Sequence, residues 1–232
     1  MITISEVIGL TDQGKSHVYL CRGTDDRLYY VKGLCCGRDS QVAEWVCAHL
    51  ARELQLPFPE FHLVDIPEEL YEMLPAQQKE IGCGIAFATV EVRSPRWLDN
   101  PTTHQVDPSL AAKVLLFDYW IQNMDRSTVN TNVLIKAEDQ SIVLIDHNLA
   151  FDSEFDAGVF FSLHIFHSHR SYWTQDLVNR TELSALLDRA QSKLDDILEG
   201  VPEAWNWKNI ERDLPANLDT GRHSSPEFWR HE

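Results

Sequence analysis

The first apolar runs of the chain, Met1 to Leu10, His17 to Arg22 and Arg27 to Leu34, are short and rich in β-branched and aromatic residues. Polar clusters at Gln13-Gly14-Lys15-Ser16 and Thr24-Asp25-Asp26 separate them. This pattern predicts an antiparallel meander. The period then changes. Val42, Ala43, Val46, Cys47, Leu50, Ala51 and Leu54 recur at the three-and-four spacing of an amphipathic helix over Ser40 to Gln55, which Leu56-Pro57-Phe58-Pro59 stops. Phe61 to Ile66 reads as a strand, Pro67 to Leu74 as a short helix, and Ile85 to Val92 as a strand leading into a loop, Arg93 to Pro101.

Asp107-Pro108 has the form of an N-cap followed by proline at the first helical position, and it starts a helix through Gln122 that is apolar over most of its circumference. The pattern next becomes polar from Asn123 and returns as two short apolar runs, Asn132-Val-Leu-Ile and Ile142-Val-Leu-Ile145, separated by Lys136 to Ser141. Such spacing predicts a β-hairpin with a polar turn. Thr181 to Glu199 is an amphipathic helix with Leu183, Leu186, Leu187, Ala190, Leu194 and Leu198 on one side, and Pro202 to Leu214 reads as a last short helix before a polar tail. Strands first and helices later predict an α+β fold of two lobes. The expected divisions are 1–92 for a β-rich N-lobe, 93–106 for a linker, 107–214 for a helical C-lobe and 215–232 for the tail.

Composition narrows the function. A chain of 232 residues can bury a sizeable core, and its net charge of −16 gives no sequence-independent attraction to nucleic acid or anionic lipid. No apolar run approaches a membrane span, and MITISEVIGL lacks the features of a signal peptide, so a cytoplasmic location is expected. Five cysteines without a CxxC spacing read as reduced thiols. His164, His167 and His169 invite a metal reading, but no paired carboxylate or cysteine accompanies them, and a packed aromatic segment explains them as well.

Candidate chemistry concentrates between Ile121 and His147. The predicted hairpin brings together Asp125, one or two carboxamides from Asn130 and Asn132, and Asp146, which is the oxygen-ligand set that Mg²⁺ and a phosphoryl group require. The bland alternative is a pair of turn aspartates. Lys32 on one strand and Glu44 on the next helix match an acid bracing a lysine toward phosphates, although each alone reads as a solvent-facing residue. Gly14 with Lys15 and Ser16 could aim backbone N–H groups at phosphates, or could be an ordinary hairpin turn. The strand end at Glu91 and Val92 could offer backbone groups to an adenine edge, the alternative being a central strand followed by a surface loop.

These motifs resemble those of the HipA-like kinase family, in its short single-chain branch, and more distantly those of protein-kinase-like and phosphoinositide-kinase-like folds. The resemblance rests on Asn123-Met-Asp125-Arg126, then Asn130-Thr-Asn132-Val-Leu-Ile, then Leu144-Ile145-Asp146-His147. It implies ATP and Mg²⁺ as cofactors and phosphoryl transfer to a serine or threonine hydroxyl of a protein, with a small-molecule kinase or a nucleotide-binding pseudokinase as alternatives. By the same match Asp125 is the catalytic aspartate, Asp146 the principal metal ligand, Asn132 or Asn130 the second ligand, and Lys32 with its brace Glu44 the holder of the α and β phosphates. His147-Asn148 stands where the DFG phenylalanine and glycine would be, and Gly14 alone stands for the glycine-rich loop. The chain leaves no room for the extra N-terminal subdomain of full-length HipA toxins, so a toxin role is not implied.

Overall fold

The early strands form the predicted ladder, and then close on themselves. In the computed structural model, which describes residues 1–11, 17–207 and 226–229, β1 (Ile2–Leu10), β2 (Tyr19–Gly23) and β3 (Leu28–Lys32) pair antiparallel in that order. α1 (Arg38–Glu53), β4 (Phe61–Ile66), α2 (Glu68–Met73) and β5 (Gly84–Val90) follow in the chain. β5 pairs antiparallel with both β3 and β4, and β4 returns to β1 by a short parallel seam, Ile2↔Val64 and Thr3↔Asp65, closing a barrel of order β1-β2-β3-β5-β4. The antiparallel meander predicted for the first three strands is present, and the parallel seam that closes it was not predicted. Closure needs strong twist, and β1 supplies it through two register irregularities, between Ile4 and Glu6 and between Val7 and Gly9. Alternate residues point inward, so Ile4, Tyr19, Cys21, Tyr29, Val31, Val64, Ile66, Ala86 and Ala88 fill the interior.

The chain divides into two units. One comprises Met1–Trp45, Pro59–Arg93 and Gly200–Asn217, and the other Val46–Phe58, Ser94–Glu199 and Leu218–Glu232. The first contains the barrel and the N-terminal half of α1. Trp205 belongs to it as well: its side chain is fully buried, and its indole N–H donates to the carbonyl of Ile85 at 3.0 Å. Of the short helix predicted over Pro202 to Leu214, a 3-10 turn at Glu203–Trp205 is described, and the stretch beyond residue 207 lies outside the described residues.

The second unit is built on α3 (Pro108–Trp120). Asp107 caps it as predicted, accepting from the amides of Ser109 and Leu110 at 3.0 Å each, and its residues are buried on nearly every side. Within the segment read as linker lies a short strand, β6 (Arg96–Trp97), which pairs with β7 (Val133–Ile135). β7 and β8 (Ile142–Leu144) form the predicted hairpin, with Val133 opposite Leu144 and Ile135 opposite Ile142. After the hairpin come α4 (Ala157–Leu163), α5 (Ser171–Thr174), α6 (Leu177–Gln191) and α7 (Leu194–Glu199).

The single helix expected over Thr181 to Glu199 is therefore two. The first starts earlier because Asp176 caps it, accepting from the amides of Val178 and Asn179 at 2.8 and 3.1 Å. It ends at Ser192, yet Leu183, Leu187, Ala190, Leu194 and Ile197 keep one buried stripe across the break. From the tail, Phe228 is buried and stacks on Tyr119 with ring centroids 4.7 Å apart. All five cysteines are free thiols, and among the described residues no helix is long and apolar enough to cross a membrane.

Candidate active site

In the barrel unit, Lys32 is the last residue of β3 and Glu44 lies on the buried face of α1. Their side chains form an ion pair from Nζ to Oε1, with only 10% and 1% of their side-chain surface exposed. The turn between them is tight. A Cβ on Gly33 would stand 2.2 Å from the carbonyl oxygen of Ile81, so glycine alone fits the step from β3 toward α1. Gln41 adds a further tie, donating from Nε2 to the carbonyl of Lys32 at 2.8 Å. Buried charges of this kind are tolerated only when paired and hydrogen-bonded.

The other residues expected in this unit are placed less informatively. Gly14, Lys15 and Ser16 lie outside the described residues. Glu91 and Val92 are half-buried just beyond β5, and the Glu91 amide is already engaged, donating to the carbonyl of Leu28 at 2.9 Å.

In the second unit, Asp125, Asn130, Asn132 and Asp146 come from the segment leaving α3 and from the two outer ends of the hairpin. Asp125 Oδ2 accepts from Asn130 Nδ2 at 2.9 Å and from Asn132 Nδ2 at 2.7 Å. Asn132 and Asp146 are neighbours through the backbone, because the amide of Ile145 donates to the carbonyl of Asn132 at 3.1 Å. The two asparagines differ in setting: Asn132 is buried, whereas Asn130 is exposed. Asn132 and Asp146 both adopt left-handed backbone, at φ 46° and 58°. Asparagine and aspartate tolerate that region better than most residues, which suits these identities to these positions.

Beneath the loop is a polar network that the sequence reading did not assemble. Asp118, on α3, and Arg126, next to Asp125, are both fully buried and paired, Nε to Oδ2 at 2.6 Å. Asp118 Oδ2 also accepts from His164 Nε2 at 3.0 Å, and its Oδ1 accepts from Asn123 Nδ2 at 2.9 Å. Asn123 in turn accepts the amide of Asp125 on its own Oδ1 at 3.2 Å, tying the buried acid to the loop. Burial pushes the Asp118 carboxyl upward, but the Arg126 charge and the His164 bond outweigh it and hold the group below the usual carboxylate range.

Arg126 extends further. Its Nη1 donates to the carbonyls of Asn132 and of Ile145, the latter at 3.3 Å, and its Nη2 donates to His147 Nε2 at 2.7 Å. An arginine only donates, so His147 Nε2 is the acceptor and carries no proton.

The histidine segment serves this network. His164 accepts the amide of Phe166 on Nδ1 at 3.0 Å, which fixes the proton on Nε2, where it meets Asp118. His167 bonds the carbonyl of His164, and among the described residues no cluster of histidine, cysteine, aspartate and glutamate side chains is arranged to hold a metal. One sequence signal pointed at the network. Asp118 lies in a helix apolar nearly all round, where an acid has to find a buried partner.

A carboxylate held by two carboxamides beside a second carboxylate is a set of hard oxygen donors. The model of one family, described as HipA-like kinase, matches residues 4–232. The chain belongs to the HipA-like kinase family. Among curated proteins no sequence relative is detected.

The chain is similar in structure to a Helicobacter pylori proinflammatory kinase, CtkA, at 13% identity and a TM-score of 0.53, covering 85% of each chain. It also aligns with a Golgi casein kinase at 15% identity and a TM-score of 0.46, over 95% of this chain and 76% of that one. A Golgi casein kinase with Mn/ADP bound gives 14% identity and a TM-score of 0.43, over 96% and 78%. The family match, with the first of these likenesses, gives this HipA-like kinase a protein-kinase-like α+β fold.

Proposed function

We propose that this HipA-like kinase is an ATP- and Mg²⁺-dependent phosphotransferase acting on a serine or threonine hydroxyl of a protein. The observation that carries the reading is Asp125, held by Asn130 and Asn132 beside Asp146. The donor chemistry fits the metal. Mg²⁺ prefers hard oxygen ligands, usually one or two from the protein with the remainder from phosphates and water. The Asp146 carboxylate and the Asn132 carboxamide oxygen are such ligands, and the shared ladder bond between Asn132 and Ile145 favours Asn132 over the exposed Asn130.

Bound Mg²⁺ would neutralise phosphate charge, which matters in a chain of net charge −16. Lys32, kept extended by Glu44, would hold the α and β phosphates. Asp125 would orient the acceptor hydroxyl and take its proton, and its two amide donors keep the carboxylate from turning away. A protein acceptor suits the openness of this loop, where Val129 is 94% exposed between Asp125 and Asn130.

The test is incubation of the purified protein with labelled ATP and Mg²⁺, alone and with peptide libraries carrying serine, threonine or tyrosine. Label on serine or threonine supports the reading in full. Label only on small-molecule hydroxyls moves the acceptor class, and metal-dependent nucleotide binding without any transfer assigns a binding role to the same site.

A further inference from the structure

We propose that Arg126 is a positioning residue, a clamp whose guanidinium holds the two metal-ligand segments in register. This inference rests on the assignment of Asn132 and Asp146 as ligands. A buried guanidinium has five N–H donors to place, and Asp118 takes only part of them, Nε at 2.6 Å and Nη2 at 3.4 Å, so where the rest go defines its role. The other contacts of Arg126 all reach the metal-ligand segments: Nη1 reaches the carbonyl of Asn132, then that of Ile145 at 3.3 Å, and Nη2 reaches His147 at 2.7 Å. One planar group thereby touches the backbone of the first ligand and the residues on either side of the second.

The backbone explains why such a clamp is needed. Asn132 at φ 46° and Asp146 at φ 58° occupy the left-handed region, which these two residue types enter more readily than most but still at a cost that the surroundings offset. The ladder bond from Ile145 to Asn132 is one constraint, and the fork of Arg126 adds two more, one on each strand end. Arg126 is itself fixed from behind. Asp118 receives its Nε at 2.6 Å and is locked in turn by His164 and Asn123, so the clamp has a fully buried anchor on α3. Lysine cannot substitute, because a single ammonium lacks the fork that satisfies Asp118 and two carbonyls together.

The test uses Arg126→Lys, which keeps a charge against Asp118, and the paired Asp118→Asn with Arg126→Gln, which removes both charges at once so that neither stays buried alone. ADP is titrated by calorimetry over a series of Mg²⁺ concentrations, and folding is followed by circular dichroism through a thermal melt. The expected result is a cooperative melt in both variants, with the Mg²⁺ needed for half-maximal ADP binding raised about 10- to 100-fold, the size of effect seen when groups supporting a metal ligand are removed. Binding of ADP without metal should stay at the level of the unmutated protein.

Folded variants with unaltered Mg²⁺ dependence overturn the clamp. Loss of the folded state in both variants also overturns it, since Arg126 would then be a core residue. If the unmutated protein binds ADP without regard to Mg²⁺, the kinase reading falls first and the clamp falls with it.

Discussion

Asn132 donates from Nδ2 to Asp125 Oδ2 at 2.7 Å, and Asn130 donates to the same oxygen at 2.9 Å. A carboxylate only accepts, so both carboxamides turn their nitrogens toward Asp125 and their oxygens away from it. The arrangement lets one asparagine restrain Asp125, the proposed base, and present an oxygen to a cation at once. Asp125→Asn replaces the acceptor with a group that must compete for the same donors. Nucleotide binding should be spared, because Asp125 is not among the expected ligands, while turnover should fall by on the order of a hundredfold or more. Calorimetry beside a phosphotransfer assay checks the split, and an equal loss of both would remove the distinction between base and ligand.

In the proposed function Lys32, braced by Glu44, holds the nucleotide phosphates. Lys32→Ala removes a charge-assisted contact worth roughly 1.5–3 kcal/mol, so ATP affinity should drop about tenfold or more. Glu44→Gln should lower it less, since lysine keeps its charge and loses only its brace. ATP titration of both variants is the check, with unchanged affinity in Lys32→Ala contradicting the phosphate-holding role.

His164 makes stability depend on pH. Burial lowers its pKa more than its bond to Asp118 raises it, with the charges of Arg126 and His167 adding to the lowering. Protonation would also set an N–H on Nδ1 against the Phe166 amide that this nitrogen now accepts. With the folded pKa below the unfolded value of about 6.5, the unfolded chain takes up the proton first. The contribution is complete above that pH and is lost as pH falls below it, and Asp118, also lowered, extends the loss to stronger acid. Urea midpoints measured between pH 7.5 and pH 5 should fall with acid. His164→Gln should flatten the part of the curve nearest neutrality.

Much of this was legible in the chain. The β-branched and aromatic runs of β2 and β3, the cap at Asp107-Pro108 and the paired apolar runs flanking Lys136 to Ser141 are local signals, and each specified its element. The clustering of Asp125, Asn132 and Asp146 followed from the hairpin. Barrel closure was not legible, because the parallel seam of Ile2 with Val64 joins residues far apart in sequence, and register irregularities in β1 leave no mark on an alternating pattern. The network of Asp118, Arg126 and His164 was missed for a related reason. Its members come from α3, the loop and the segment after α4, and only the lone acid in an apolar helix hinted that they meet.

In the proposed function Asp146, two residues beyond β8, brings a metal and nucleotide together, and calorimetric titration of ATP with and without Mg²⁺ decides whether it does. The unmutated protein should bind ATP markedly more tightly with Mg²⁺, because two carboxylates in a chain of net charge −16 otherwise repel the phosphates. Asp146→Asn should abolish most of that gain, while metal-free binding does not weaken, since one repelling charge has been removed. Equal affinity with and without Mg²⁺ in the unmutated protein, or a full metal-dependent gain in Asp146→Asn, would contradict the account.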